Sequence, residues 1–563
     1  MHTVRRLYVY LLSGVSLGVL LVGLNLLLGV LLGAVGVGRG GFVGGSPTAD
    51  REQLSVAAAL TVVGLLVWGI HWWLAERSLR PTNPDVQAEH GSTLRALYLS
   101  IVLGALLVFG TAAAVDLLRW LLAQVMGDTF DSGATNVAGS LSTLLVTAVA
   151  WAYHAVVRRR DMRGDPLSGA AAWLPRFYLY AAALAALVLL SLSIGRLLGT
   201  VLEALVRDPS VGGGDFLTYQ LAEQIAAIVV LAVIWLGHWA YATRLVDDPG
   251  WRGASERPAL LRLGYFVAAI GAGAVALAWF GTEALRAVLV AVLGAGEALG
   301  ELTPADLPLA IARPLVAAIP WLVAWWLHLA WLRSESVALD DETRPATADR
   351  LDAASVALVG LGFGAVGIGW LVGFLVDVAL GGSRAGGGDF WRVELSMYLA
   401  AGTIGFVAWA WSWARLQRRH AADALQEAGS TVRRSYLLIV LAAAVLSSIG
   451  SLAFVLYRLF GSLLGVGFSG NAVSAVSTPL GYLLVAGGLT LYHALLLRRD
   501  QELRAAAMPP EEVGAVAIAP APGMHRSLVL SGPPGADLEA ALGTLRAQLP
   551  PGFRLDGEEG PAG

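Results

Sequence analysis

The residues with the clearest chemical potential are histidines that recur at a regular spacing, each three positions after a tryptophan. The motif Trp-x-x-His is intact four times and altered in a fifth and a sixth copy: Trp68/His71, Trp151/His154, Trp235/His238, Trp325/His328, Trp409/Ser412 and Thr490/His493. Successive His or Ser positions are 83, 84, 90, 84 and 81 residues apart. Residues three positions apart share one helix face. The spacing therefore predicts six equivalent sites on six repeated units.

Three interpretations of this histidine series are open. Pairs of histidines from different helices could ligate haem, or the series could form a proton or polar pathway in the membrane. Alternatively, the tryptophans and histidines form an aromatic belt at headgroup depth. Arginines soon follow the motif, as at Arg77, Arg158 and Arg498, which favours the belt. On that interpretation we predict no cofactor, no metal and no catalytic residue, and we leave any cofactor-binding residues unassigned.

A second set of candidates consists of charged residues in the distal parts of the apolar stretches. They are Asp116, Arg119, Arg196, Glu203, Glu283, Arg286, Asp377 and Arg458. Charges at membrane depth suggest a functional site, whereas local salt bridges suffice if the helices emerge from the outer leaflet there. Pro314 and Pro320 in addition predict an interruption of the eighth span, a feature found at some transporter sites.

Composition identifies the elements that must position these residues. The chain has 563 residues, of which 56% are hydrophobic and 14% are charged, against about 25% charged residues in soluble proteins. Apolar blocks of this length indicate membrane-spanning helices. The absence of cysteine excludes disulfides, thiolate catalysis and cysteine-based metal sites. No nucleotide- or phosphate-binding pattern is present, and nucleic-acid binding is not predicted.

The repeats predict an all-α polytopic membrane protein with about twelve transmembrane helices, arranged as six parallel two-helix repeats. Each unit opens with an arginine near an aromatic residue, as in Arg95-Ala-Leu-Tyr98, and contains a long first helix, a Gly-rich loop and a shorter second helix. The expected units are residues 1–80, 92–162, 174–246, 258–334, 348–419 and 431–500. Residues 501–563 are expected to form a partly disordered cytoplasmic tail.

Arginine is distributed unequally between the two sets of loops. The termini and the loops between units carry 25 arginines near the membrane, and the loops within units carry five. The positive-inside rule therefore predicts a multi-pass protein of the cell (cytoplasmic) membrane with both termini in the cytoplasm.

The two-span unit that opens with Arg-x-(x)-Tyr and closes with Trp-x-x-His resembles a bacterial two-helix membrane domain, domain of unknown function 5671. The resemblance covers about residues 1–500 as six copies, and the fifth copy departs from the pattern at Asp352 and Ser412. It implies the architecture and no activity.

The function that these patterns favour is a non-enzymatic membrane scaffold or assembly subunit. A transporter or channel for a small solute or ion is the alternative, based on the intramembrane charges, and a haem-binding redox protein is the second alternative. The expected partners are the lipid bilayer and other membrane proteins.

Overall fold

The computed structural model describes residues 3–37, 47–80, 86–127, 137–162, 169–206, 214–296, 306–335, 344–384, 390–466 and 471–507. Within these ranges the chain forms α-helices and short turns and contains no strand. Twelve of the described helices are long and apolar enough to cross a membrane. The protein is therefore an all-α polytopic membrane protein.

The twelve long helices form six consecutive pairs. They are α1 (Thr3–Ala34), α2 (Pro47–Arg77), α4 (Thr93–Val125), α5 (Val137–Asp161), α6 (Gly169–Val206), α7 (Gly214–Val246), α9 (Leu260–Val292), α10 (Leu307–Glu335), α11 (Arg344–Ala379), α12 (Phe390–Ala422), α14 (Thr431–Leu463) and α15 (Ala472–Ala507). We call the side where the two helices of a unit connect the hairpin side. The side where successive units join is the linker side.

Three short helices lie on the linker side: α3 (Val86–His90), α8 (Trp251–Glu256) and α13 (Ala424–Gly429). Each joins an odd-numbered unit to the even-numbered unit after it. This groups the six units into three four-helix domains, called here the first, middle and third domains. In the first two, the opening helix (α1 or α6) packs on the other three long helices of its domain.

Neighbouring domains are joined by the first helix of each even-numbered unit. Helix α4 packs on α6 and α7, and α9 packs on α11 and α12. The three largest clusters of buried apolar residues each centre on one domain and lie mostly towards the linker side, around Trp72, Trp239 and Trp413. The best-packed part of the protein therefore contains the residues that the sequence pattern singled out.

Glycines allow close helix contact where two backbones meet. In the pair α11/α12, a Cβ atom on Gly405 would lie 2.0 Å from the backbone nitrogen of Gly364, and one on Gly360 would lie 2.5 Å from that of Trp409. Gly362, which lies between Gly360 and Gly364 in α11, has no atom within 4 Å of its Cβ position. Small residues at such crossings let membrane helices gain van der Waals contact.

Two features differ from the sequence-based expectations. Helix α10 continues through Pro314 and Pro320 instead of breaking there. The second helix is shorter than the first in five of the six units, as predicted. Helix α15 continues to Ala507, beyond the predicted end of the sixth unit, and the rest of the tail lies outside the described residues.

Candidate functional site

Each motif histidine has a fixed hydrogen bond within its own helix. The Nδ1 atoms of His71, His154, His238, His328 and His493 lie 2.7 to 2.9 Å from the carbonyl oxygen four residues earlier. A carbonyl oxygen only accepts hydrogen bonds, so Nδ1 must carry the proton and donate it. In the neutral ring, Nε2 is then left as an acceptor.

That acceptor faces a tyrosine hydroxyl from the first helix of the same unit. Tyr265 Oη lies 3.0 Å from His328 Nε2, and the corresponding distances are 3.3 Å for Tyr98 and His154 and 3.4 Å for Tyr178 and His238. The tyrosine hydroxyl donates a hydrogen bond to the imidazole Nε2. Its oxygen remains free to accept a hydrogen bond.

The tryptophan of the preceding unit donates to that oxygen. Trp235 Nε1 lies 3.1 Å from Tyr265 Oη, and Trp151 Nε1 lies 3.0 Å from Tyr178 Oη. Trp68 donates to Tyr98 at 3.5 Å and Trp409 to Tyr436 at 3.2 Å. We call each such set a Trp–Tyr–His cluster; in the cluster of Trp409 and Tyr436, the tyrosine contacts the His493 ring without a hydrogen bond to its Nε2. Each cluster connects one unit to the next through directed hydrogen bonds.

The fifth unit keeps the connection with different chemistry. Asp352 stands at the tyrosine position and accepts from Trp325 Nε1 at 2.9 Å. Ser412 replaces the histidine, and Arg415, one turn further along α12, pairs with the other carboxylate oxygen at 3.0 Å. The fifth unit therefore has an Asp–Arg pair in place of a Tyr–His pair. The aspartate still accepts the hydrogen bond from the tryptophan of the preceding unit.

The two ends of the series differ from the inner units. Thr490 occupies the tryptophan position of the sixth unit, and its hydroxyl bonds to its own helix at Ala486 O. Tyr8 of the first unit is 56% exposed, whereas Tyr98, Tyr178, Tyr265 and Tyr436 are at most 6% exposed. The motif tryptophan is thus present in each of the first five units, all of which are followed by a further unit.

Buried ion pairs surround the clusters on the linker side. In the odd-numbered units, the opening arginine pairs with a glutamate of the short helix at 2.7 to 2.9 Å: Arg6–Glu89, Arg176–Glu256 and Arg350–Glu427. In the second and sixth units, it pairs with the acid at the end of the second helix: Arg95–Asp161 at 2.6 Å and Arg433–Asp500 at 2.7 Å. This alternation repeats with the domains, so the larger repeat contains four long helices.

Arginines also cover three tryptophan rings that lie next to the Trp–Tyr–His clusters. The guanidinium carbons of Arg95, Arg262 and Arg433 lie 5.3, 5.2 and 5.7 Å from the ring centroids of Trp72, Trp239 and Trp413. The same tryptophans stack on Tyr98, Tyr265 and Tyr436, with centroids 5.2, 5.2 and 5.3 Å apart. A cation over an indole face is an attractive contact. The three domains therefore repeat the same packing.

Aromatic rings of neighbouring helices cover the motif histidines. His154, His328 and His493 are at most 1% exposed, because the helices of the same domain cover them with aromatic rings. His71 and His238 are partly covered. The position of the series at headgroup depth stays a prediction. A sequence signal for the four-helix repeat is the spacing Arg-x-x-Tyr in Arg95–Tyr98, Arg262–Tyr265 and Arg433–Tyr436, against Arg-x-Tyr in the first and third units and Arg-x-Asp in the fifth.

The distal charges lie towards the hairpin side and have varied partners. Glu283 and Arg286 form a pair within α9 at 3.4 Å, but Glu203 pairs across helices with Arg313 of α10 at 3.6 Å. Arg119 lies over the Tyr219 ring of α7, with its guanidinium carbon 5.1 Å from the centroid. Asp116 lines a small cavity of the first domain beside Asn25.

Two more of the distal charges belong to the third domain. Asp377 is fully buried at the end of α11, and its carboxylate accepts the backbone N–H of Arg384 at 3.1 Å. Arg458 is partly exposed on α14. The structure therefore does not bring the eight charges together into one site.

A polar cavity of about 810 Å³ lies between α6, α7, α9 and α10 of the middle domain. Arg196, Glu283 and Arg286 line it, together with Glu223 and Arg313, which were not among the predicted site residues. Within the described ranges, no three His, Asp or Glu side chains lie close enough together to hold a metal ion.

Comparison with known proteins agrees with this repeat. The model of the family described as a domain of unknown function (DUF5671) matches residues 6–131, 176–323 and 350–488. The matches begin at Arg6, Arg176 and Arg350, which open the three four-helix domains. No curated protein and no solved structure matches the chain. Because the three regions together cover most of its length, the chain belongs to the DUF5671 family, as tandem copies of that domain.

Proposed function

We propose that this protein is a non-enzymatic membrane scaffold or assembly subunit of the bacterial cytoplasmic membrane, with its linker side and both termini in the cytoplasm. The observation that supports this most is that the chemically distinctive side chains bind one another at the junctions between units. Tryptophan, tyrosine, histidine and arginine are engaged in holding the array together.

The directions of these hydrogen bonds argue against a proton pathway. The indole N–H can only donate, and the backbone carbonyl at the other end can only accept. Each complete series of hydrogen bonds therefore begins at a tryptophan N–H and ends at the backbone carbonyl one turn before the histidine. A proton could pass through such a cluster only if the hydrogen bonds that position its side chains were broken.

The same geometry argues against haem ligation. In four of the five histidines, the Nε2 lone pair faces a tyrosine hydroxyl of the same unit, at 3.0 to 3.5 Å. Axial ligation would require that this bond be lost and the ring be rotated out of an aromatic environment.

The orientation is supported by the 25 arginines on the linker side against five on the hairpin side. Reporters test it directly. A fusion after Gln501 should be active as a cytoplasmic reporter only, and an insertion near residue 212 as an external reporter only. Activity of both on the same side would refute the topology.

A transporter or channel for a small solute or ion is the second candidate, and the polar cavity of the middle domain is what favours it. The two functions differ in a flux assay with the full chain in sealed vesicles. A scaffold gives ion and amino-acid fluxes equal to those of protein-free vesicles, and in native membranes it migrates with other membrane proteins at fixed stoichiometry. Protein-dependent, saturable flux would replace the scaffold proposal with transport.

A further inference from the structure

Two of the charged groups around the cavity of the middle domain, Arg196 and Arg313, are specific to that domain. At the positions that correspond to Arg196, the first and third domains have Leu26 and Trp370, and at those that correspond to Arg313 they have Gly139 and Thr478. The shared four-helix architecture therefore forms without these arginines. Charges within membrane spans are costly and are retained mainly where they serve a function.

Three residues that line this cavity each carry a buried polar atom that has no hydrogen-bond partner within the described part of the chain. The atoms are the indole nitrogen of Trp321, the Nε of Arg286 and the amide oxygen of Gln224. Trp321 is only 5% exposed. A buried donor or acceptor without a partner is unfavourable. Two donors and one acceptor of the lining residues are therefore left unsatisfied.

The charges of the cavity divide into satisfied and unsatisfied groups. Arg286 pairs with Glu283, and Arg313 pairs with Glu203. Arg196 and Glu223 line the same cavity, and among the described residues neither has an oppositely charged group within 4.0 Å. One cationic and one anionic side chain therefore remain to receive a ligand.

We propose that the middle domain binds a small zwitterionic group that carries both an acidic and an ammonium moiety. The acidic moiety, a phosphate or carboxylate, lies against Arg196. The ammonium moiety lies against Glu223. The volume of about 810 Å³ is within the usual range for small-molecule sites, about 300–1,000 Å³.

Two sources can supply this chemistry: the headgroup of an ethanolamine phospholipid and a free amino acid. Native mass spectrometry of the full chain distinguishes them. One arm adds phosphatidylethanolamine, with phosphatidylglycerol as the purely anionic comparison, and the other adds L-alanine or L-glutamine. We expect one bound molecule per chain in one of these arms, with at least tenfold weaker binding of phosphatidylglycerol at this site.

The variants Arg196→Gln and Glu223→Gln test which moiety of the ligand each of the two charged side chains binds. Both side chains are exposed to the cavity, so the fold should tolerate them. Arg196→Gln should weaken zwitterion binding at least tenfold, and Glu223→Gln should abolish the preference over phosphatidylglycerol. Arg458→Gln, on α14 in the third domain, is the matched control and should change neither. Absence of one-to-one binding in both arms, an equal affinity for phosphatidylglycerol, or equal effects of all three variants would overturn the proposal.

Discussion

Replacing Asp352 with alanine removes the group that serves both Trp325 and Arg415 at the junction of the fourth and fifth units. The carboxylate is 1% exposed and accepts these two hydrogen bonds at 2.9 and 3.0 Å. The variant leaves an indole N–H without its acceptor and a largely covered guanidinium without its counter-ion. We therefore expect a large loss of stability from a residue that lies outside the Trp-x-x-His motif.

The magnitude follows from the burial of the two partners. Removing one member of a buried ion pair costs about 3–5 kcal/mol. The Arg415 side chain retains 24% exposure, which lowers that figure to about 2 kcal/mol through screening. The lost hydrogen bond to Trp325 adds about 1 kcal/mol. Asp352→Ala should therefore lower the free energy of unfolding by about 3 kcal/mol.

Denaturant titration in mixed micelles measures this change. Arg415→Ala added to Asp352→Ala should restore part of the loss, because no unpaired charge then remains. The triple variant Asp352→Tyr, Ser412→His, Arg415→Tyr places the residues of the third unit at this junction and should recover most of it. Two results would show that the Asp–Arg pair does not substitute for a Tyr–His pair. Asp352→Ala has no effect, or Arg415→Ala lowers the free energy of unfolding by as much in the Asp352→Ala background as it does alone.

Three further predictions follow from the packing and the hydrogen bonds. Gly405→Ala should lower stability by more than 2 kcal/mol, because its Cβ would meet α11 at 2.0 Å, whereas Gly362→Ala should be neutral or stabilising by about 0.5 kcal/mol; equal effects in unfolding titrations would refute the crossing. Removal of residues 509–563 should leave membrane yield and thermal stability unchanged, since every cluster and ion pair described above lies before Arg504, and a large loss of folded protein would contradict this. Gently purified protein should show no Soret band in its absorption spectrum, because tyrosine hydroxyls lie against the Nε2 atoms of four of the five motif histidines; stoichiometric haem would move the protein to the redox class.

The spans and their pairing could be predicted from the sequence because apolar length and arginine asymmetry are local properties. The partners of the repeated residues could not. Trp235 and Tyr265 are 30 residues apart and belong to different units, so neither helix periodicity nor motif spacing indicates that they meet. The cover of the histidines could not be predicted either, because a single helix shows which face a residue shares but not which neighbouring helix covers that face.

The fifth and sixth units show the same limit. Asp352, Ser412 and Thr490 look like degeneration when each unit is compared with the consensus alone. The structure shows what these residues do: Asp352 pairs with Arg415, and the Thr490 hydroxyl bonds within its own helix. The charged cavity of the middle domain was visible only in part, since Arg196, Glu283 and Arg286 were candidates but Glu223 and Arg313 lie on helices where no repeat pattern marks them.

The claim that the Trp–Tyr–His clusters hold successive units together is tested most directly by comparing Tyr265→Phe with Tyr8→Phe in unfolding titrations of the full chain. Tyr265 is 3% exposed and bonds both Trp235 and His328, whereas Tyr8 is 56% exposed and lies 3.5 Å from His71 alone. Removing the first hydroxyl leaves two buried polar atoms without partners, so the expected loss is about 2 kcal/mol, against less than about 0.5 kcal/mol for the second. Equal losses, or none for Tyr265→Phe, would show that the clusters do not connect the units.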